Sequence, residues 1–290
     1  AKEYGAEARK AFDAAGGDAR LQRAEADPAG RAALVIPVLD GLGAWDLEPR
    51  TDADSAEAAA ALCRSAGYWA VPYPVAERLA RTEGADGLFV VTGHAPAATI
   101  AGLDGTWATV TADGRRGRVT GTADDRAGFV TSLRLDPIDD QGRDDIALAI
   151  TLPCWTLLGM LDRAMDLTIA HVRLRQQFGQ PLSAFQSVQF QLTDAEVERS
   201  GLEMLARYAL WSGDLPDALA LRMAALEAAE VVFRVTHQLH GAVGFCEETT
   251  LSWLSRYSQP LRRLPWGLSA TRELLADVVD AHGLTGVYSA

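Results

Sequence analysis

Cysteine is scarce in this chain. Its three residues, Cys63, Cys154 and Cys246, lie far apart and form no CxxC pair. That excludes a disulfide framework and a paired-cysteine zinc site, and it predicts a reducing cytoplasm. Basic residues are outnumbered, 27 Lys+Arg against 39 Asp+Glu, for a formal net charge of -12. The electrostatic footprint of a nucleic-acid binder is therefore missing. No uninterrupted apolar run reaches the roughly 18 residues of a membrane span, and AKEYGAEARKAF at the N-terminus carries no signal-peptide core. There is no GxGxxG behind a strand, no GxxxxGK[ST] and no GxSxG, so neither a phosphate cradle nor a nucleophile elbow is signalled. His237 and His240 share a helix face in HQLH, but no HExxH or cysteine pair completes a metal site, and none is expected.

The remaining composition is that of an ordinary globular protein: 290 residues, 48% hydrophobic and 23% charged. Two changes of character run along it. Residues 1–82 read as helical: AKEYGAEARKAFDAAGG is a helix stopped by Gly16-Gly17, and SAEAAAALCRSAGYW is another with Ser55 as its candidate N-cap. Between them RAALVIPVLDGLGAWDLEPR is apolar but broken by Pro37, Gly41 and Gly43. Residues 83–143 hold short β-branched runs (DGLFVVTG, TWATVTADG, RGRVTG, FVTSLRLD) separated by Gly or Asp turns, the pattern of a small antiparallel sheet. Residues 106–111 alternate as a half-buried strand does. The polar PIDDQGRDD reads as a linker. Residues 144–290 read as helices over about 152–177, 184–212, 217–240, 247–258 and 267–282, with Pro153 in a first turn and Gly179 and Pro181 closing the first helix. Runs of one type, without alternation, predict an α+β fold: a helical domain, a small antiparallel β domain, then an antiparallel four-helix bundle.

One stretch is far more specific. Residues 171–197, HVRLRQQFGQPLSAFQSVQFQLTDAEV, contain Arg175, Phe178, Gly179, Phe185 and Gln186 in the order R-x-x-F-G, spacer, F-Q. Some sixty residues on, QLHGAVGF at 238–245 looks like a Q-x-x-G-G-x-G-F turn, followed by EETTLSWLSR with Glu248 and Arg256. Together these resemble the acyl-CoA dehydrogenase family over residues 150–258, and AWDLEPR with AGYWAVPYPVAERLA resembles its first domain more weakly. The resemblance implies FAD, held at its ADP half by Arg175, Phe178, Phe185, Gln186, Gln238 and Gly241 across a subunit interface. The residue chemistry agrees. Arg175 is a permanently charged fork suited to pyrophosphate, the two glutamine amides donate and accept, and Gly241 and Gly244 admit close backbone approach.

The departures from the family are equally informative. Its members abstract an α-proton from an acyl-CoA with a glutamate that usually follows the third long helix of the bundle. Here that region is QPLRRLPWGLS, 259–269, with no acid and with Pro265 near the expected place. The alternative family position, at the start of the first bundle helix, falls near Ala149. Arg262 and Arg263 stay protonated and cannot serve as bases. No catalytic residue is therefore expected in this chain. The first and middle domains are also shorter than the family's.

The expected function is that of a subunit in a heteromeric, FAD-dependent acyl-CoA dehydrogenase acting on a bulky, steroid-like acyl-CoA. This chain supplies the ADP-side clamp. A full-length partner in a 2+2 tetramer supplies the glutamate and most of the acyl-CoA pocket. The alternatives are a self-sufficient enzyme with Asp144, Asp145 or Glu247 as an unusual base, and a scaffold without FAD contact. A partner surface is expected around Trp211, Trp253 and the Leu251–Leu254 helix.

Overall fold

The computed structural model describes residues 1–282. An N-terminal layer holds α1 (Lys2–Ala14), α2 (Ala19–Ala26), α3 (Arg31–Gly41), α4 (Ala53–Tyr68) and α5 (Val75–Leu79). α1 stops where expected, since Gly16 and Gly17 take φ of 118° and 46°. The N-cap of α4 is Asp52, whose carboxylate accepts a hydrogen bond from the Ser55 amide at 2.7 Å. Ser55 is therefore the capped residue and not the cap, because a carboxylate at the right offset outcompetes it.

The sheet follows, with β1 (Gly87–Val90), β2 (Ala97–Ala98), β3 (Trp107–Val110), β4 (Arg115–Arg126) and β5 (Val130–Gln141) in the order β1-β3-β4-β5-β2. It is antiparallel except for β1, which runs parallel to β3. β3 is buried along its whole length, not half-buried. Trp107 packs in a small cluster with Phe89 and Ile100, while Ala108 and Val110 join the main core, so both faces are covered. Residues 137–145 are not a loop: β5 runs to Gln141 and α6 starts at Arg143.

The bundle consists of α6 (Arg143–Leu174), α7 (Gln186–Ser212), α8 (Leu215–His240), α9 (Thr250–Tyr257), α10 (Gln259–Arg263) and α11 (Leu268–His282). α6 begins earlier than the sequence pattern indicated and carries Pro153 inside it. Asp144 and Asp145 favour a helix start, and Ile146, Ala149, Ile150 and Leu152 are buried, so tertiary packing extends the helix past the proline. Among the described residues α6 alone is long and apolar enough to cross a membrane, and most of it is buried inside the protein.

Close contact between α4 and α6 joins the N-terminal layer to the bundle. A Cβ on Gly67 would overlap the Thr156 carbonyl, and one on Gly159 would overlap the Arg64 carbonyl. Beside this crossing, Arg64 donates to Asp162 at 2.6 Å and to Glu203 at 3.0 Å, and Arg199 donates to Asp162 at 3.0 Å. These charges pin α4, α6 and α7 together, and the Arg64 bond holds the Glu203 carboxyl down at about 2. Leu251 and Leu254 are buried, so the α9 helix is not the exposed partner face expected of it, and Trp253 is half-buried, donating to the Glu247 carbonyl at 2.6 Å. Trp211 is exposed.

Candidate functional site

At one end of the bundle the two sequence motifs meet. α6 ends at Leu174, and Arg175 is its extended C-cap (φ −72°, ψ 121°). The chain then forms a two-residue hairpin between β6 (Gln176–Gln177) and β7 (Gln180–Pro181). Phe178 and Gly179 make its tip at φ of 53° and 80°, the doubly left-handed turn that suits strand twist. Glycine adopts that φ freely, but phenylalanine does so only under strain, and strain of this kind gathers at functional positions. The turn holds Phe178 91% exposed, in edge contact with the half-buried Phe185 at 6.3 Å. The Leu182 amide donates to the Arg175 carbonyl at 2.8 Å and closes the loop. Gln186 opens α7, whose first turn carries no acid and so presents unopposed amide dipoles.

Gln238 lies in the last turn of α8, and Gly241 caps that helix at φ 63°, ψ −148°, where only glycine is at ease. The two motifs are joined by a feature that sequence reading missed. His171, one turn before Arg175, stacks on His240, two residues after Gln238, with ring centroids 4.4 Å apart. His237 stacks on Phe245 at 4.4 Å. The His240 Nδ1 lies 2.9 Å from the Thr236 carbonyl. Burial lowers the basicity of all three histidines, and His240 lowers the other two further. No cluster of metal ligands forms among the described residues.

The side chains of Arg175, Gln186 and Gln238 are exposed and make no hydrogen bond or ion pair within the described residues. A cation, two amides, an aromatic edge and an open glycine are thus exposed at this end of the bundle, the cation and amides with their donors unspent. Such a donor set fits a pyrophosphate and ribose presented by another molecule.

The second region lies between the sheet and the bundle. Ala149 and Pro265, the two places where the sequence pattern sought a base, line one cavity of about 50 Å³. That space holds a few waters and is far below the size of a ligand pocket. Arg222, 3% exposed, also lines it and donates to the carbonyls of Leu264 at 2.7 Å and Trp266 at 2.5 Å, tying α8 to the link before α11. Asp145 is no free base: it is buried and paired with Arg50 at 2.9 Å and with Arg116. Asp144, Glu247 and Glu248 are exposed.

Glu77 on α5 is the carboxyl that sequence reading overlooked. It faces both this cavity and a neighbouring one of about 70 Å³, and burial raises it to about 7. A raised carboxyl stabilises the fold fully below the unfolded value near 4.5, and that contribution drains away as pH rises through about 7. Thermal melting from pH 5 to 8 should therefore show a decline of at most about 1.4 kcal/mol per pH unit from this group. The Glu77→Gln variant should flatten that decline; an unchanged slope would show that Glu77 ionises freely.

Residues 151–266 match the family model described as Acyl-CoA dehydrogenase, C-terminal domain. A 3-sulfinopropanoyl-CoA desulfinase of Paraburkholderia xenovorans (strain LB400) is 32% identical over 103 residues, covering 34% of this chain and 26% of that one. The matched segment thus spans about a quarter of that relative's length. Two solved structures are similar over nearly the whole chain. One is the Tcur3481-Tcur3483 steroid ACAD G363A variant, with a TM-score of 0.78 and 19% identity over 97% of both chains. The other is the ChsE4-ChsE5 complex from Mycobacterium tuberculosis, with a TM-score of 0.75 and 16% identity over 98% of both chains.

Proposed function

We propose, starting from residues 151–266 as an acyl-CoA dehydrogenase C-terminal domain on an acyl-CoA dehydrogenase fold, that this chain is one subunit of a heteromeric, FAD-dependent acyl-CoA dehydrogenase. Its bundle end holds the ADP half of a flavin seated in a full-length partner. Arg175 binds the pyrophosphate, Gln186 and Gln238 hydrogen-bond the ribose-phosphate edge, Phe178 and Phe185 wall it, and Gly241 lets the backbone come close. Bound FAD supplies the hydride acceptor for α,β-dehydrogenation of an acyl-CoA, and the partner supplies the base that removes the α-proton.

The observation that carries this reading is the set of exposed, unpaired donors at 175, 186 and 238, set against a small cavity of about 50 Å³ at both base positions. The chain has an acyl-CoA dehydrogenase fold, and neither Ala149 nor Pro265 can act as a base. The likeness to a steroid ACAD and to the ChsE4-ChsE5 complex supports a partner subunit and a bulky, steroid-type acyl chain, and the 2+2 stoichiometry belongs to the proposal.

The test is flavin retention in the co-expressed complex. Arg175→Ala removes a charge-assisted contact of roughly 1.5–3 kcal/mol, so flavin affinity should fall by about one to two decades. Gln238→Ala should act in the same direction more mildly. Full flavin in both variants would remove the clamp from this surface.

Glu77 favours a second reading, a self-sufficient dehydrogenase. Its carboxyl lines the same cavity as Ala149 and Pro265 and sits near the pH at which a general base works. Acyl-CoA turnover by this chain alone, abolished in Glu77→Gln, would establish it.

A further inference from the structure

We propose that His171, stacked on His240, takes up a proton when Arg175 binds its anion, so that this end of the bundle is a proton-linked anion site. The anion is the pyrophosphate of FAD, so the linkage rests on the flavin reading above.

The geometry starts from two helix ends. His171 lies in the last turn of α6, and His237 and His240 lie in the last turn of α8. The carbonyl end of a helix favours a positive charge. The His171 and His240 rings are stacked, with centroids 4.4 Å apart and planes 21° from parallel. His240 is fixed in this pair: its Nδ1 lies 2.9 Å from the Thr236 carbonyl, which only accepts, so Nδ1 carries the hydrogen. A neutral imidazole can stack on an imidazolium, but two imidazoliums at this spacing repel. The pair therefore carries at most one proton.

The charges around the pair are cationic or already spent. Arg175 stands one turn beyond His171, and its charge acts on that ring. The segment from Gln176 to Thr193, which holds the hairpin and the first turns of α7, has no ionisable side chain. Neither has the turn Gly241–Phe245. Beyond that turn Glu247 pairs with Arg256 at 3.7 Å, and Glu248 is exposed. Asp18, which accepts from Thr250 at the start of α9, is paired with Arg163 at 2.8 Å. On α6, Asp166 accepts from the Tyr68 hydroxyl at 2.9 Å, and Arg173 and Arg234 are exposed cations on α6 and α8. Burial, then the charges of His240 and Arg175, hold His171 below the usual imidazole range. An anion on Arg175 cancels one of those charges and adds a negative one. Protonation of His171 then becomes easier, and by reciprocity a proton on His171 tightens the anion. The pyrophosphate diester of FAD does not itself titrate near neutral pH, so a dependence there belongs to the protein.

FAD affinity against pH tests the linkage. The co-expressed complex is stripped of flavin and titrated with FAD at fixed ionic strength from about pH 6 to about pH 8, read by flavin fluorescence. Affinity should be at least about threefold higher at the acid end, and should change by no more than about tenfold per pH unit, the limit for one proton. His171→Phe keeps a stacked ring and loses the proton site. At the alkaline end its affinity should stay within about twofold of the parent, while most of the pH dependence disappears. Calorimetry in buffers of different ionisation enthalpy gives a second count: the parent should take up protons on binding FAD, and His171→Phe should take up clearly fewer. A loss of affinity in His171→Phe that is equal at both ends would mean a purely structural role and overturn the proposal. So would a parent affinity that is flat with pH, or a dependence unchanged in His171→Phe; if Arg175→Ala still weakens FAD in those cases, the flavin reading stands without the linkage. An Arg175→Ala complex that binds FAD as the parent does would overturn both.

Discussion

Gly159→Ala is expected to cost about 3 kcal/mol or more and to lower the melting temperature by roughly 6–12 °C. The reason is backbone against backbone. A Cβ at Gly159 overlaps the Arg64 carbonyl oxygen and approaches the Tyr68 amide at 2.8 Å, both within a helix. A flexible side chain could swing away, whereas two helices must separate. Separation would also stretch the Arg64–Asp162 bond and open the core around Leu62 and Leu158, both fully buried. Gly67→Ala meets the same crossing from the other side, against the Thr156 carbonyl. The double variant should therefore cost less than the sum of the singles, since one displacement relieves both clashes. Thermal melts of the two singles and the double decide it. A Gly159→Ala protein that melts within a degree or two of the parent would mean that the helices do not approach this closely.

The second large effect concerns turnover by the complex. With the base in the partner, replacing the partner's catalytic glutamate by glutamine should remove 10²–10⁴ of the rate, the usual share of a positioned general base. In this chain, amide replacement of Asp144, Glu247, Glu248 and Glu77 should leave turnover within about tenfold. Asp145→Asn needs a separate reading, because it breaks the bridges to Arg50 and Arg116 and lowers stability. Its turnover is therefore measured well below its own melting point. Two flavins per 2+2 tetramer are expected. Four flavins, or a collapse of turnover in one of this chain's acid variants with the fold intact, would transfer the chemistry to this chain and favour the self-sufficient reading through Glu77.

The candidate ADP-side clamp was read from the sequence alone, and for a physical reason. Arg175, Phe178, Gly179, Gln186, Gln238 and Gly241 occupy helix ends and a tight hairpin, where local backbone demands and ligand chemistry are written as residue types at short spacing. The succession of helical, then β-branched, then helical runs likewise announced the α+β order, and Ala149 and Pro265 could be read directly.

Other features depended on contacts between distant segments. Gly67 and Gly159 look like dispensable glycines until α4 and α6 cross upon them. Glu77 reads as one polar residue of a short amphipathic helix, and only its neighbours from the sheet, α6 and α10 desolvate it. Pro153 reads as a helix start, but burial of Ile146 and Ile150 outweighs its lost hydrogen bond and carries α6 through it. Residues 106–111 alternate like a half-exposed strand, yet cover on both faces buries β3 completely. The His171–His240 stack needed two helix ends brought together from seventy residues apart. Local spacing determined which residues could bind; burial and close backbone approach, which arise only when the chain packs on itself, decided which carboxyl is desolvated and which glycine is indispensable.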